Sequence, residues 1–267
     1  MIGLSIGSFL NVLIDRLPAE ESITGRSHCD YCKKDLAWYD LLPILSYVYL
    51  GARCRYCEKK LSLFYPLVEV LTGVMFVFVV SLPSFNPAVG AVGGIKDVTG
   101  ALLTLHVGVL EKLALLGIVS TAIVIFFSDL KYQIIPDSIQ ISLFSFSFLY
   151  LITKGVTPRV FLDQVVAAFV IMLPILLLFL ATKGKAMGFG DVKLSFTMGF
   201  LLGIMGGVGA LYIGFITGAT IGIILIILGK KKLKSKIAFG PFLILGVMPM
   251  LFFENEIVQI VRTIYPF

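Results

Sequence analysis

Two apolar runs, parted by one short glycine-bearing loop, constrain this chain more than any other feature. Val160–Thr182 is 23 residues long and Leu194–Gly229 is 36. A transmembrane helix needs about 20 apolar residues to cross a hydrocarbon core of roughly 30 Å. The first run is therefore one span, and the second is too long for one. Gly203, Gly206, Gly207 and Gly209 supply a turn that divides it into two helices, the first of them short. Composition agrees: 58% of residues are hydrophobic and 14% are charged, against about 25% charged in soluble domains. Mean hydropathy is +1.00. The runs are continuous rather than alternating, which argues against an outer-membrane barrel. The expected fold is an all-α polytopic membrane protein with about eight transmembrane helices.

The remaining segments follow from this frame. Met1–Ile14 is apolar but covers only about 21 Å as a helix, so this first transmembrane helix is short and tilted, or the sequence starts part-way through it. No cleavable signal peptide is expected. Residues 15–65 form the only sizeable polar region, and 66–267 reads as the helical membrane domain. Tyr65–Ser81 is a span with Pro66 in its first turn, where proline is tolerated. Leu82–Gly100, rich in Gly, Pro, Ser and Asn, reads as a loop. Ala101–Ser128 can cross, although His106, Glu111 and Lys112 mark its first part as wet or interfacial. Ser138–Ile152 and Phe239–Phe253 complete the spans, and Glu254–Phe267 is a short amphipathic tail.

The charges orient the spans. With the N-terminus outside, 17 of the 22 Lys and Arg fall on one side, in loops 15–65, 183–193 and 230–236 and at Lys131. Lys96, Lys112, Lys154, Arg159 and Arg262 fall on the other. Positive residues accumulate on the cytoplasmic side, so the net charge of +6 is a topological signal rather than a nucleic-acid footprint.

That orientation puts Asp129, Asp137 and Asp191 on the cytoplasmic face. Asp191 lies in Met187-Gly188-Phe189-Gly190-Asp191-Val192-Lys193, and an acid at the mouth of a membrane segment is usually functional. Gly188 and Gly190 leave room for an extended substrate backbone beside it. Asp129 closes another span at the same face, although an acid at a helix C-terminus opposes the dipole. Two adjacent carboxylates share a proton and titrate as a pair. One then acts as a general base on water while the other protonates the substrate, which is aspartic-protease chemistry. Asp137, between Pro136 and Ser138, reads as a helix cap. Asp163 falls at the opposite face and is structural. Glu69, one turn into its span, could meet a basic substrate segment.

The four cysteines form Cys29-x-x-Cys32 and Cys54-x-x-Cys57, a spacing close to a zinc ribbon in which two pairs supply four thiolates. Disulfides are not expected on the cytoplasmic side. A structural zinc is the expectation, with His28 a weaker alternative ligand. The Trp38–Leu50 stretch between the pairs is too short to span and lies under the loop or at the interface.

These residues together resemble the type IV prepilin peptidases. The resemblance runs nearly end to end: Gly7-Ser8-Phe9-Leu10-Asn11-Val12, Arg16-Leu17-Pro18, Gly25 to Cys29 and the cysteine quartet, Tyr65-Pro66-Leu67-Val68-Glu69, Asp129 through Asp137, Gly188 through Lys193, and Phe239-Gly240-Pro241-Phe242-Leu243. It implies a helical intramembrane aspartyl protease of the bacterial inner membrane, with Asp129 and Asp191 catalytic; Gly188, Gly190, Glu69 and Lys193 are the residues expected near the substrate. The substrate would be a membrane-inserted prepilin or pseudopilin with a basic leader. Members with the cysteine loop also methylate the new N-terminal residue, usually Phe, with S-adenosylmethionine as donor; no Gly-rich nucleotide loop is visible here. A proton- or cation-coupled transporter would require repeated halves, and the sequence shows no internal repeat. A non-catalytic pilus-assembly scaffold would use the cysteine loop only for docking.

Overall fold

The computed structural model describes residues 1–29, 31–83, 98–185, 187–230 and 238–264. Most of the expected 82–100 and 230–236 loops, Lys96, the side chains of His106 and Arg262, and the end of the tail lie outside the described residues. The described elements are helical, and no β-strand occurs among them. They are α1 (Ile2–Arg16), a 3₁₀ turn (Trp38–Leu41), α2 (Leu45–Tyr49), α3 (Phe64–Ser81), α4 (Val98–Tyr132), α5 (Asp137–Thr153), α6 (Pro158–Thr182), α7 (Phe189–Ile227) and α8 (Gly240–Ile264). Five stretches qualify as membrane crossings by length and apolarity: Phe64–Ser81, Val107–Tyr132, Pro158–Thr182, Phe189–Ile227 and Gly240–Ile260. Helices α1 and α5 have 15 and 17 residues and fall below that length. The chain forms two compact units, Met1–Val124 and Ile125–Phe267.

In the first unit α1 lies along α3 at close range because small residues face the seam. A Cβ at Gly7 would stand 2.7 Å from the Glu69 Cα, and one at Gly3 would stand 2.9 Å from the Phe76 Cβ. Small residues at four-residue spacing let helix backbones approach in a medium where apolar burial drives little association. Polar clasps close the polar end of the seam. The Asn11 Nδ2 donates to the Tyr65 carbonyl at 3.1 Å, and the Tyr65 hydroxyl donates to Asp15 Oδ2 at 3.0 Å. Glu111 on α4 is buried rather than wet. Lys112 beside it donates to the Val80 carbonyl near the end of α3 at 2.8 Å.

The polar segment between α1 and α3 contains a short internal repeat that the whole-chain reading misses. Ser27-His28-Cys29-Asp30-Tyr31-Cys32-Lys33-Lys34-Asp35-Leu36 aligns with Ala52-Arg53-Cys54-Arg55-Tyr56-Cys57-Glu58-Lys59-Lys60-Leu61. The backbone repeats too. Lys33 and Glu58 both turn through positive φ, 54° and 56°, and donate to the Cys29 and Cys54 carbonyls. Cys29 and Cys54 donate in turn to the Lys34 and Lys59 carbonyls. The two turns exchange side chains: the Lys34 ammonium stands over the Tyr56 ring at 5.5 Å and Lys59 over Tyr31 at 4.7 Å. Between them Trp38, Val48 and Tyr49 are exposed, so this stretch is not packed under the loop on that face.

In the second unit the break in the 36-residue run falls at Gly203, whose φ of 72° and ψ of −171° interrupt α7. The first half of α7 packs into an aromatic cluster with α5 and α6. Phe200 lies 4.8 Å from Phe144 and 6.0 Å from Phe161 between ring centroids. Such pairs contribute roughly 0.5–1.5 kcal/mol each beyond area burial. On the α6 side a Cβ at Gly199 would meet the Ala167 carbonyl oxygen at 2.6 Å, and on the α8 side one at Gly246 would overlap the Ala210 backbone. The Gly199 and Phe200 contacts hold the first half of α7, the half that carries Asp191.

Candidate active site

The C-terminal end of α4 is the first wall of the site. Asp129 lies inside the helix rather than at its end, since α4 continues one turn to Tyr132. Gln133 then takes a positive φ of 56° and donates to the Asp129 carbonyl at 2.9 Å. Ser128 closes the turn by donating to the Ile134 carbonyl at 2.8 Å. The chain reverses through Ile134-Ile135-Pro136 into α5. Pro136 is the N-cap of α5, with no side-chain cap, which corrects the cap expected at Asp137. The Asp137 carboxylate instead accepts from Lys193 Nζ at 2.7 Å.

The start of α7 is the second wall. Gly188 is the N-cap, and its N–H donates to Asp191 Oδ2 at 3.1 Å while the Asp191 N–H donates to the Gly188 carbonyl at 3.2 Å. This reciprocal pair places an acid at a helix N-terminus, where negative charge is favoured. The Gly190 carbonyl accepts from Gln140 Nε2 at 3.2 Å, and a Cβ at Gly190 would lie 3.2 Å from the Ile135 Cβ. The glycine here serves close packing against the reversing chain.

The start of α8 is the third wall. The Gly240 N–H donates to Asp129 Oδ2 at 2.9 Å, and a Cβ on Gly240 would stand only 2.7 Å from that same oxygen. The N-terminus of α8 thus offsets the unfavourable position of Asp129 in the last turn of its own helix.

The two carboxylates line one cavity of about 180 Å³ together with Gln133, Ile135, Lys185, Met187, Gly188, Gly190 and Phe239. Asp129 is 5% exposed and Asp191 6%. Asp191 Oδ1 is buried with no hydrogen-bond partner among the described residues. An unpaired buried acceptor costs roughly 1–3 kcal/mol, and no described residue offsets that cost here.

Of the residues expected at the site, Asp129, Asp191, Gly188 and Gly190 line this cavity. Lys193 is on the same helix but is tied to Asp137. Glu69 lines a separate cavity in the first unit and accepts from the Ile44 N–H at 2.8 Å. Asp163 is exposed near the start of α6. Sequence reasoning missed Gly240 as a partner of Asp129; its one signal was a glycine beside a proline opening the last helix. It also missed Ile135 and Gln140, which nothing in the sequence marks.

The four cysteine sulfurs lie within 4.8 Å of one another, and Cys29 Sγ stands 3.8 Å from Cys57 Sγ. A tetrahedron with metal–sulfur bonds of about 2.3 Å has edges of about 3.8 Å, so the cluster fits a metal ion. His28 is not part of it; its backbone pairs with Asp35. The Lys59 backbone N–H lowers the Cys57 pKa, but desolvation and hydrogen bonding with Cys54, Cys32 and Cys29 outweigh it and push the thiol up to about 11. A bound metal must displace those protons.

Comparison with known proteins converges on one family. Residues 1–82 match the Bacterial Peptidase A24 N-terminal domain and residues 116–223 match the Type IV leader peptidase family. A Prepilin leader peptidase/N-methyltransferase of Legionella pneumophila is 30% identical over 288 residues, covering 97% of this chain and 91% of that protein. One of Aeromonas salmonicida is 30% identical over 273 residues, covering 91% and 85%. One of Myxococcus xanthus is 52% identical over 77 residues, 28% of this chain and 23% of that protein. No solved structure matches at a comparable level of significance. With both halves of the chain matched, and with relatives matched along almost its whole length, this chain belongs to the type IV leader peptidase family.

Proposed function

We propose that the chain cleaves the leader from prepilins or pseudopilins by aspartic-protease chemistry and methylates the new N-terminal amine. One observation carries the first half: two buried carboxylates line one small cavity, and one carboxylate oxygen has no partner among the described residues. Asp129 and Asp191 are the catalytic pair, and they hold one proton between them. Asp191 Oδ1 is the atom free to hold it. In the proposed reaction the ionised partner removes a proton from water, and the water oxygen attacks the scissile carbonyl carbon. The shared proton passes to the carbonyl oxygen. Collapse of the tetrahedral intermediate breaks the C–N bond and delivers a proton to the leaving amine. The Gly188 and Gly240 N–H groups hold the outer carboxylate oxygens so that neither acid must reorient. Gly188 borders the space available to an extended substrate.

The domain division follows: 1–14 as first helix, 15–65 as a cysteine-rich zinc domain, 66–267 as the protease-bearing membrane domain. Zinc is the proposed metal, held by Cys29, Cys32, Cys54 and Cys57. Four thiolates leave no open position, so it shapes the loop rather than catalyses. When bound, S-adenosylmethionine supplies an electrophilic methyl group for transfer to the freed amine. The charge bias supports an outside N-terminus, with the acid pair and cysteine loop at the cytoplasmic face. There a basic leader and an apolar pilin helix straddle the interface.

The test uses purified enzyme with a prepilin substrate and labelled methyl donor. Wild type should cut and label it. Asp129→Asn and Asp191→Asn should each lose cleavage while remaining folded; cleavage retained in either variant sinks the catalytic pair. Chelation provides a second check. Stripping the metal should unfold residues 15–65, as judged by protease sensitivity there. A stripped loop as resistant as the loaded one would remove the structural role of the metal.

A further inference from the structure

The larger cavity of the first unit holds neither Asp129 nor Asp191. It encloses about 400 Å³ between α1, the start of α3 and the cysteine loop. Small-molecule sites occupy roughly 300–1,000 Å³, a range that this cavity meets and that the 180 Å³ aspartate cavity does not. Its wall is mixed. Val12, Leu36, Leu50 and Leu61 give it an apolar side. Asp15, Glu21, Asp40 and Glu69 give it four carboxylates, against the two guanidinium groups of Arg16 and Arg55. Both cations are already engaged: Arg16 donates to the Ser22, Thr24 and Arg26 carbonyls, and Arg55 pairs with Asp40 at 2.8 Å. The cavity therefore carries a net negative charge and favours a cationic guest.

A second observation points to a hydrogen-bonding guest. Asn11 is 7% exposed, and its Oδ1 has no partner among the described residues. The amide cannot be turned to relieve this, because its Nδ2 donates to the Tyr65 carbonyl, and the opposite orientation would set two acceptors together. Asn11 lines the cavity, and no described residue donates to this buried acceptor, which leaves it available to a donor on a guest.

We infer that this cavity is the binding site for the sulfonium methyl donor, with Asn11 Oδ1 accepting from its amino or hydroxyl groups. The donor matches the cavity in three respects: a flat apolar base for the leucine-lined side, a sulfonium and an ammonium for the acidic side, and several N–H and O–H donors. The inference rests on the methyl-transfer half of the proposed function. The aspartate pair has no role in it.

The test is calorimetric binding of S-adenosylhomocysteine, the demethylated thioether, to the full chain in lipid nanodiscs. Wild type should bind. Asn11→Leu, which removes the acceptor, and Ser46→Trp, which fills the wall, should each weaken binding about tenfold or more. Asp129→Asn should bind as wild type does. Metal content and thermal unfolding report whether each variant is folded, and either folded variant suffices. Folded cavity variants that bind as tightly as wild type overturn the inference, as does loss of binding in Asp129→Asn. Cavity variants that weaken a polybasic leader peptide but spare the thioether also overturn it, by making the cavity a leader site. These failures leave wild-type methylation intact, whereas a wild type that neither binds the thioether nor transfers methyl brings down the methyl-transfer reading itself.

Discussion

Asp129 and Asp191 share a cavity and a burial state, yet they are positioned by opposite means. Asp191 is held by its own neighbourhood, a glycine three residues earlier that caps the same helix. Asp129 is held by Gly240, 111 residues further along the chain. The first arrangement is complete as soon as α7 forms. The second depends on how α4 and α8 pack within the second unit. Equal chemistry can thus rest on unequal structural support, and substitutions should separate the two.

The largest effect comes from the acids themselves. Asp129→Asn or Asp191→Asn should each lower cleavage by about 10³-fold or more, and the double variant should be little worse than either, since groups acting as a unit are not additive. Additive losses would mean the two act separately. Next is Gly240→Ala. Its methyl would fall 2.7 Å from Asp129 Oδ2 and 3.1 Å from Ile135 Cδ1, so either the carboxylate or α8 must move. Overpacking of this kind costs roughly 1–3 kcal/mol. A 1 Å misplacement of a catalytic group lowers rate by about 10²-fold. A cleavage rate within about threefold of wild type would show that Asp129 does not need its distant partner. Gly188→Ala should matter less. Gly188 has an ordinary φ of −79°, and a Cβ there would find its nearest neighbour at 3.6 Å. A poorer N-cap costs about 1 kcal/mol, read as a modest drop in melting temperature with cleavage nearly intact. If Gly188→Ala proved the more damaging, the contrast between the two supports would be reversed. Smallest is Lys193→Met. The Lys193–Asp137 pair is solvent-exposed, and such pairs contribute under about 1 kcal/mol. Cleavage should stay within about twofold; a loss that appears only with basic-leader substrates would restore Lys193 to substrate contact.

What was legible in the sequence follows the same division. Apolar runs gave the helices, and the glycines near 203 gave the break in α7, because both signals are local. The Gly188–Asp191 cap is a four-residue pattern and could be read directly. Cys29, Cys32, Cys54 and Cys57 were legible because thiols at that spacing have few other uses. Gly240, Ile135 and Gln140 were not, because their roles arise only when the α4–α5 turn, α7 and α8 meet. Glu69 illustrates a partner that sequence does not reveal. An acid one turn into a span suggests a charged ligand but says nothing of the Ile44 N–H that it also holds, 25 residues earlier in the chain. The repeat around the cysteines was readable all along, at a period of 25 residues rather than across halves of the chain.

The Gly240–Asp129 hydrogen bond also has a meaning in time. A ribosome completes Asp129 and Asp191 long before it reaches residue 240. A nascent chain therefore holds both acids without the N–H that fixes the first of them. On this arrangement Asp129 gains the donor that fixes it only once synthesis has reached the start of α8.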